Sequence, residues 1–170
     1  MSLGPLDSLY REVVLDHHRH PRGNDPLTDF DVQAAGKNPS CGDEVTLQLK
    51  FDGDRIAGVG VISSGCAIST SSGSMLAELI NGLTMAEAEQ VAAAFKRVLH
   101  GETFPTELDL GDLEALAGVQ KFPVRIKCAL LPWVTLLDAV LAHRQGRRAD
   151  PVSTEDVAAG GAPMKVQLSK

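Results

Sequence analysis

The chain has 170 residues, a hydrophobic content of 44% and a formal net charge of −6 at pH 7. This length suits one domain with a buried core, and the net acidity argues against a general nucleic-acid binder, which usually carries a basic face. The sequence has no apolar run of about 18 residues that could span a bilayer, and its first residues lack the pattern of a signal peptide. We therefore expect a cytoplasmic protein that binds neither nucleic acid nor membrane.

The first predicted element is an amphipathic helix over roughly residues 5–19, where apolar residues recur at helical spacing until Pro21 and Gly23 end the pattern. Its end holds three histidines, His17, His18 and His20. A second metal site is one reading of this cluster. We favour a structural role, because a helix C-terminus attracts His through its dipole and its free carbonyl groups.

Three segments predict strands. Residues 30–36, FDVQAAG, predict a short edge strand. Apolar and polar residues alternate over 45–51, as a strand with one buried face requires. Asp52-Gly53 then predicts a hairpin turn into a return strand over residues 55–62. Together with the helices, these segments predict an α+β fold in which a small antiparallel sheet of about three strands packs against several helices.

Two helices follow the strands. Residues after Cys66 carry a buried helical face that ends near Gly82, so Cys66 is expected near a helix N-terminus. Thr84 and Glu87 have the spacing of a capping box, and the helix they begin continues to Gly101.

The last third of the chain has one strong helical pattern. Residues 102–123 are looser, with one short helical turn, and a long apolar helix follows from Pro123. Pro132 interrupts this pattern because it has no N–H for the carbonyl of Cys128, so the helix either kinks there or begins near Cys128. Residues 146–170 lack periodicity, which places the end of the domain, residues 1–145, before a disordered tail.

The three cysteines, Cys41, Cys66 and Cys128, are an odd number, which excludes a complete disulfide framework. Each lies where a strand or a helix begins, and such junctions can meet at one end of a sheet-and-helix layer. With Asp43 they would offer three sulfur ligands and one oxygen, a set suited to tetrahedral Zn²⁺. Three unrelated thiols remain an alternative at this point, because the ligands lack paired C-x₂-C spacing.

Four stretches of the sequence resemble the U-type iron–sulfur cluster assembly proteins, the IscU/NifU-N-like family, and within it the SufU branch. They run in order along the chain: LYREVVLDHHRHPRG, NPSCGDEVTLQLKFDGDRI, GVISSGCAISTSSGSMLAELI and KFPVRIKCALLPWVTLLDA. The resemblance implies an IscU/SufU-like fold, and it implies that the family's metal and sulfur site is formed by Cys41, Asp43, Cys66 and Cys128.

Two features favour the SufU branch. Scaffold members typically carry a histidine just before the third cysteine, whereas this chain has Lys127, whose ammonium cannot ligate zinc. The interval from Cys66 to Cys128 is also longer than in the scaffold branch, and the excess falls in residues 101–122. Arg125 and Lys127 flank Cys128 and are expected to raise the positive potential at the site or to contact a partner.

The resemblance implies a zinc-dependent sulfurtransferase that accepts persulfide sulfur on Cys41 from a SufS-type cysteine desulfurase and supplies downstream iron–sulfur assembly proteins. It also implies that a histidine of the desulfurase takes the place of Cys41 on the metal, which frees Cys41 to attack. One alternative is an IscU-type scaffold that binds an iron–sulfur cluster transiently. Another is a structural zinc protein without transfer chemistry.

Overall fold

The structure, a computed structural model, describes residues 5–155, with side chains from residue 10 onward. It has the predicted α+β class. No helix in this described part of the chain is long and apolar enough to cross a membrane. The elements in chain order are α1 (Pro5–Arg19), β1 (Val32–Asn38), β2 (Asp43–Asp52), β3 (Arg55–Ser64), α2 (Ala67–Ile80), α3 (Met85–Leu99), a 3₁₀ segment (Gly111–Lys121), α4 (Pro123–Gln145) and β4 (Val152–Ser153).

The sheet has the order β3-β2-β1-β4. The β1–β2 and β2–β3 pairs are antiparallel, as the sequence predicted, whereas β4 pairs in parallel with β1. The sheet therefore has four strands rather than about three. β1 also extends two residues beyond the predicted segment, because its pairing with β2 continues through Lys37 to Asn38, which lies opposite Asp43.

The C-terminal strand corrects the predicted domain boundary. α4 ends at Gln145, with Gly146 in the left-handed conformation after it, and residues 152–153 return to the sheet. A two-residue parallel strand carries no periodic signal, so the sequence alone could not reveal it. The domain therefore reaches at least Glu155, and the rest of the predicted tail, residues 156–170, lies outside the described residues.

α2 and α4 pack together behind the sheet and form the centre of the core. Ser72 Oγ of α2 donates a hydrogen bond to the Ala129 carbonyl at 2.6 Å and accepts one from Trp133 Nε1 at 3.1 Å. α4 begins at Pro123 and continues through Pro132, so the helix does not begin near Cys128. Cys128 instead lies in the second turn of a long, mostly buried helix.

His17 joins α1 to α2 and to the 3₁₀ segment. Its buried ring places Nδ1 2.6 Å from Ser74 Oγ and Nε2 2.7 Å from Asp112 Oδ2. The Asp112 carboxylate can only accept, so Nε2 is the donor of that bond. His18 and His20 bond other residues, so the three histidines do not converge on a shared site.

Gly36 allows α4 to lie close against β1. A Cβ atom at this position would overlap Thr135 Oγ1 and would lie 3.1 Å from Leu131 Cδ1. The glycine thus sets the spacing between the strand that leads to Cys41 and the helix that carries Cys128.

Gly36→Ala is expected to lower the free energy of unfolding by about 1–3 kcal/mol, the usual cost of overpacking a core. Chemical denaturation measures this change. Adding Thr135→Ala removes the overlapping hydroxyl, so the double variant should regain part of the loss. Gly118→Ala, where an added Cβ meets no atom within 4 Å, is the matched control, and equal stability of the two single variants would contradict the close approach.

Candidate metal centre

The β1–β2 hairpin holds the first part of the centre at its closed end. Residues 39–42 form the turn between Asn38 and Asp43, which are paired across the strands. The Asn38 carbonyl accepts hydrogen bonds from the Cys41 and Gly42 amides at 3.2 and 2.8 Å, and Gly42 supplies the positive φ of 74° that the turn needs. This geometry leaves Cys41 half-buried on a turn directly above a fully buried pair of polar side chains.

Asp43 is held by groups from two other segments. Its Oδ1 accepts a hydrogen bond from the Cys66 amide at 2.9 Å, and its Oδ2 accepts one from Asn38 Nδ2 at 3.1 Å. Gly65 makes this approach possible, because a Cβ there would overlap the Asp43 carboxylate, and its φ of 154° is one that other residues rarely adopt. Cys66 is the N-cap of α2, as predicted, and its thiol does not cap the helix.

Cys128 is the most buried of the three thiols. Its Sγ lies 3.4 Å from Cys41 Sγ and also accepts a hydrogen bond from Asn38 Nδ2 at 3.4 Å. Burial, more than the neighbouring thiols and carboxylate, raises the pKa of the Cys128 thiol far above its ordinary value. Without a cation this thiol therefore stays protonated, and a bound metal would reverse that preference.

The ligand atoms of Cys41, Asp43 and Cys128 all lie within 4.8 Å of one another. Cys66 stands at the edge of this compact group, with Sγ 4.0 Å from Asp43 Oδ2. Tetrahedral Zn²⁺ with its usual bond lengths would separate two sulfur ligands by about 3.8 Å and a sulfur from an oxygen by about 3.6 Å. The ligand atoms of Cys41, Asp43 and Cys128 thus have spacings near those that a zinc ion requires, and the Cys66 sulfur would have to move toward them to complete the set. The soft sulfur donors favour zinc over magnesium or calcium.

The two predicted basic residues have different surroundings. Arg125 is exposed, and its pKa is raised mainly by a hydrogen bond to the Cys128 side chain and further by the nearby thiols of Cys66 and Cys41. Lys127 instead pairs its ammonium with Glu155 Oε2 at 3.1 Å. The positive charge that faces the sulfur atoms is therefore that of Arg125.

Two contributors to the centre were missed from the sequence. Asn38 was not among the residues predicted for the site, although it is in phase with the buried residues Val32, Ala34 and Gly36 of β1. That phase is the signal that could have identified it. Thr154, which donates to Asn38 Oδ1 at 2.9 Å, lay in the predicted tail, where no pattern marked it.

Comparison with known proteins identifies the family of this chain. Residues 9–129 match the family described as NifU-like N terminal domain. The chain is 40% identical to the "Zinc-dependent sulfurtransferase SufU" of Bacillus subtilis over 83% of this chain and 95% of that protein. It is 39% identical to the "Iron-sulfur cluster assembly scaffold protein IscU" of Streptococcus pyogenes over 82% of this chain and 87% of that protein.

A solved structure gives the same result for the fold. The "Putative iron-sulfur cluster assembly scaffold protein for SUF system" from Fervidobacterium islandicum matches with a TM-score of 0.73 and 36% identity, over 81% of this chain and 99% of that chain. Together with the family match and the curated relatives, this similarity establishes that the chain belongs to the SufU- and IscU-like family of NifU-like N-terminal domains.

Proposed function

We propose that this protein acts in iron–sulfur cluster assembly as a zinc-dependent sulfurtransferase that takes persulfide sulfur from a cysteine desulfurase. The proposal rests on one observation: Cys41 and Cys128, whose sulfur atoms are in contact, differ in how deeply they are buried. Cys41 is half-buried on a turn, whereas Cys128, 3.4 Å away, is buried in a helix. One sulfur can therefore reach a partner while the other stays in place.

Cys41, Asp43, Cys66 and Cys128 would hold the zinc. A bound Zn²⁺ supplies positive charge that keeps these thiols deprotonated at neutral pH and protects them from oxidation. Asp43 and Asn38 orient the ligands, because each makes several hydrogen bonds inside the centre. Arg125 adds a fixed positive charge at the surface, which favours anionic sulfur.

In the transfer step, the Cys41 thiolate forms a bond to the terminal sulfur of the donor persulfide. The sulfur–sulfur bond of the donor breaks, and the donor cysteine leaves as a thiolate. Cys41 then carries the persulfide. The step needs no external oxidant or reductant, since the donor supplies sulfur at the oxidation level that the acceptor receives.

A scaffold that assembles the cluster on the same thiols is the second candidate function. The three cysteines around one carboxylate support it, and the relative from Streptococcus pyogenes carries a scaffold name. Lys127 argues against it, because the residue beside Cys128 offers an ammonium paired with Glu155 rather than a further ligand. Metal content after anaerobic purification separates the two: zinc without a reconstitutable cluster supports transfer.

Cys41→Ala is expected to abolish stimulation of a cognate desulfurase and accumulation of persulfide while the fold survives. Cys66→Ala and Cys128→Ala should instead lose zinc and thermal stability, because Cys66 precedes the first turn of α2 and Cys128 is buried in α4. Desulfurase turnover, zinc content and persulfide mapping by mass spectrometry measure these effects. Persulfide found on Cys128 in the wild-type protein, with Cys41 unmodified, would contradict the assignment.

Zinc removal should lower the melting temperature by roughly 10 °C, because the ion would link the hairpin turn, α2 and α4 and would stabilise only the folded state. Chelation followed by differential scanning calorimetry, with the zinc content of the same sample verified, makes the measurement. Re-addition of zinc should restore the transition. An unchanged melting curve in verified metal-free protein would show that the ion is not structural.

Asp43→Ala should speed zinc release to a chelator by about tenfold, the lower end of what the loss of a supporting group costs metal sites. The change removes an oxygen ligand and leaves the Cys66 amide and the Asn38 amide without their buried acceptor. Asp52→Ala, at the exposed end of the same strand, is the control. Equal release rates in the two variants would exclude Asp43 from the centre.

A further inference from the structure

The chain returns to the centre after α4. β4 pairs in parallel with β1, with Val152 opposite Gly36 and Ser153 opposite Lys37. Because this register runs toward the end of β1, the next two residues, Thr154 and Glu155, lie beside Asn38 and the Cys41 turn. These C-terminal residues fall outside residues 9–129, which match the family, so the family match assigns them no role.

Thr154 anchors this segment inside the protein. It is buried, with 3% exposure, and its hydroxyl donates to Asn38 Oδ1 at 2.9 Å. The Asp43 carboxylate can only accept, which turns the Asn38 NH₂ group toward the centre and leaves the amide oxygen to accept from Thr154. The Asn38 NH₂ group then points to Asp43 and Cys128, as the hydrogen bonds at 3.1 and 3.4 Å require.

Glu155 bridges the Cys41 turn and α4 from the surface. One carboxylate oxygen, Oε2, accepts a hydrogen bond from Ser40 Oγ at 2.8 Å. The same oxygen forms an ion pair with Lys127 Nζ at 3.1 Å. The Ser40 bond and then the Lys127 bond lower the pKa of Glu155, so the carboxylate is charged at neutral pH. The two partners are the direct chain neighbours of Cys41 and Cys128, the thiols that touch.

We propose that residues 152–155 form a clasp that holds the Cys41 turn against α4 and sets how often Cys41 leaves the buried centre. Thr154 is the fixed end of the clasp, and Glu155 is the end that opens. The part of this inference that concerns sulfur transfer rests on the proposed function, because only a mobile Cys41 can meet the donor persulfide. The bonds of Glu155 are partly exposed and individually weak, which suits a contact that has to open.

The test measures how fast each thiol is alkylated by iodoacetamide in the metal-loaded, full-length protein, with mass spectrometry resolving the three cysteines. Glu155→Gln should speed alkylation of Cys41 by roughly fivefold, the effect of losing about 1 kcal/mol of local closure. The rates at Cys66 and Cys128 should stay unchanged. Asp150→Asn removes the same charge from a side chain that pairs only weakly with Arg147, at 3.5 Å, and should match the wild type.

Ser40→Ala tests the hydrogen bond between Ser40 and Glu155 without changing the charge of Glu155. It removes the hydrogen bond of Glu155 to the turn without altering any charge near the thiols, so it should also speed alkylation of Cys41. Glutamine at position 155 still offers Ser40 an acceptor but loses the charge that pairs with Lys127, so the two changes weaken different contacts of the clasp and the double variant should react faster than either single variant. Unchanged Cys41 rates in both single variants would overturn the clasp, and so would equal acceleration of all three thiols, which indicates general loosening.

The outcome does not depend on the proposed function, because alkylation requires no desulfurase. If Cys41→Ala still stimulates the desulfurase while Glu155→Gln speeds alkylation of Cys41, the sulfur-acceptor assignment fails and the clasp stands. If Cys41→Ala is inactive and Glu155→Gln changes nothing, the assignment stands and the clasp fails.

Discussion

The hydrogen bond between Asn38 and Asp43 is the interaction on which the centre depends. Both side chains are fully buried, and burying polar groups without partners is costly. Here both side chains have hydrogen-bond partners. Asp43 accepts from the Cys66 backbone amide and from the Asn38 side-chain amide, and Asn38 Oδ1 accepts from the Thr154 hydroxyl. The hairpin, the start of α2 and the C-terminal segment are therefore fixed relative to one another before any metal binds.

Because of this arrangement, the three thiols differ in how firmly their positions are held. Cys128 is fixed by its place in a core helix, and Cys66 by the N-terminus of α2, which also favours negative charge. Cys41 lies on a turn whose ends are pinned by the paired residues Asn38 and Asp43, while the turn itself is exposed at Pro39, Ser40 and Gly42. The proposed ligand set, with two fixed sulfur atoms and one on an exposed turn, would suit ligand exchange at a single position better than a site of four rigid ligands.

Much of this could be predicted from the sequence, for a physical reason. Alternating residues in β2 and β3, the capping box at Thr84 and the apolar pattern of α4 are local signals, and the structure confirms each of these elements. The same signals placed Cys41 and Cys66 at element junctions, where the structure has them, whereas Cys128 lies inside α4. The start of α4 was less certain, because Pro132 is a local helix breaker that tertiary packing overrides.

The rest depended on contacts between distant parts of the chain. Asn38 precedes a proline, and Asn-Pro reads locally as a turn, while its burial is decided by Cys128 and Thr154 from far along the sequence. The β4 strand is too short to give a periodic pattern, and it forms by pairing with the edge of β1. Sequence patterns indicate which residues form an element, but they do not show which distant side chain will satisfy a buried polar group.

Burial of Cys128 also determines how the stability of the metal-free fold depends on pH. The raised pKa of Cys128 means that the metal-free fold holds this thiol as a neutral group, so its burial costs little below the ordinary thiol pKa of about 8.5. Above that pH the unfolded chain loses the proton more easily than the folded protein does, and the metal-free fold loses stability as pH rises. Metal binding would depend on pH in the opposite direction. Each thiol has to release its proton before it can bind a metal, so binding becomes more favourable as pH rises. For Cys128, proton loss therefore weakens the metal-free fold over the same rise in pH that would favour metal uptake.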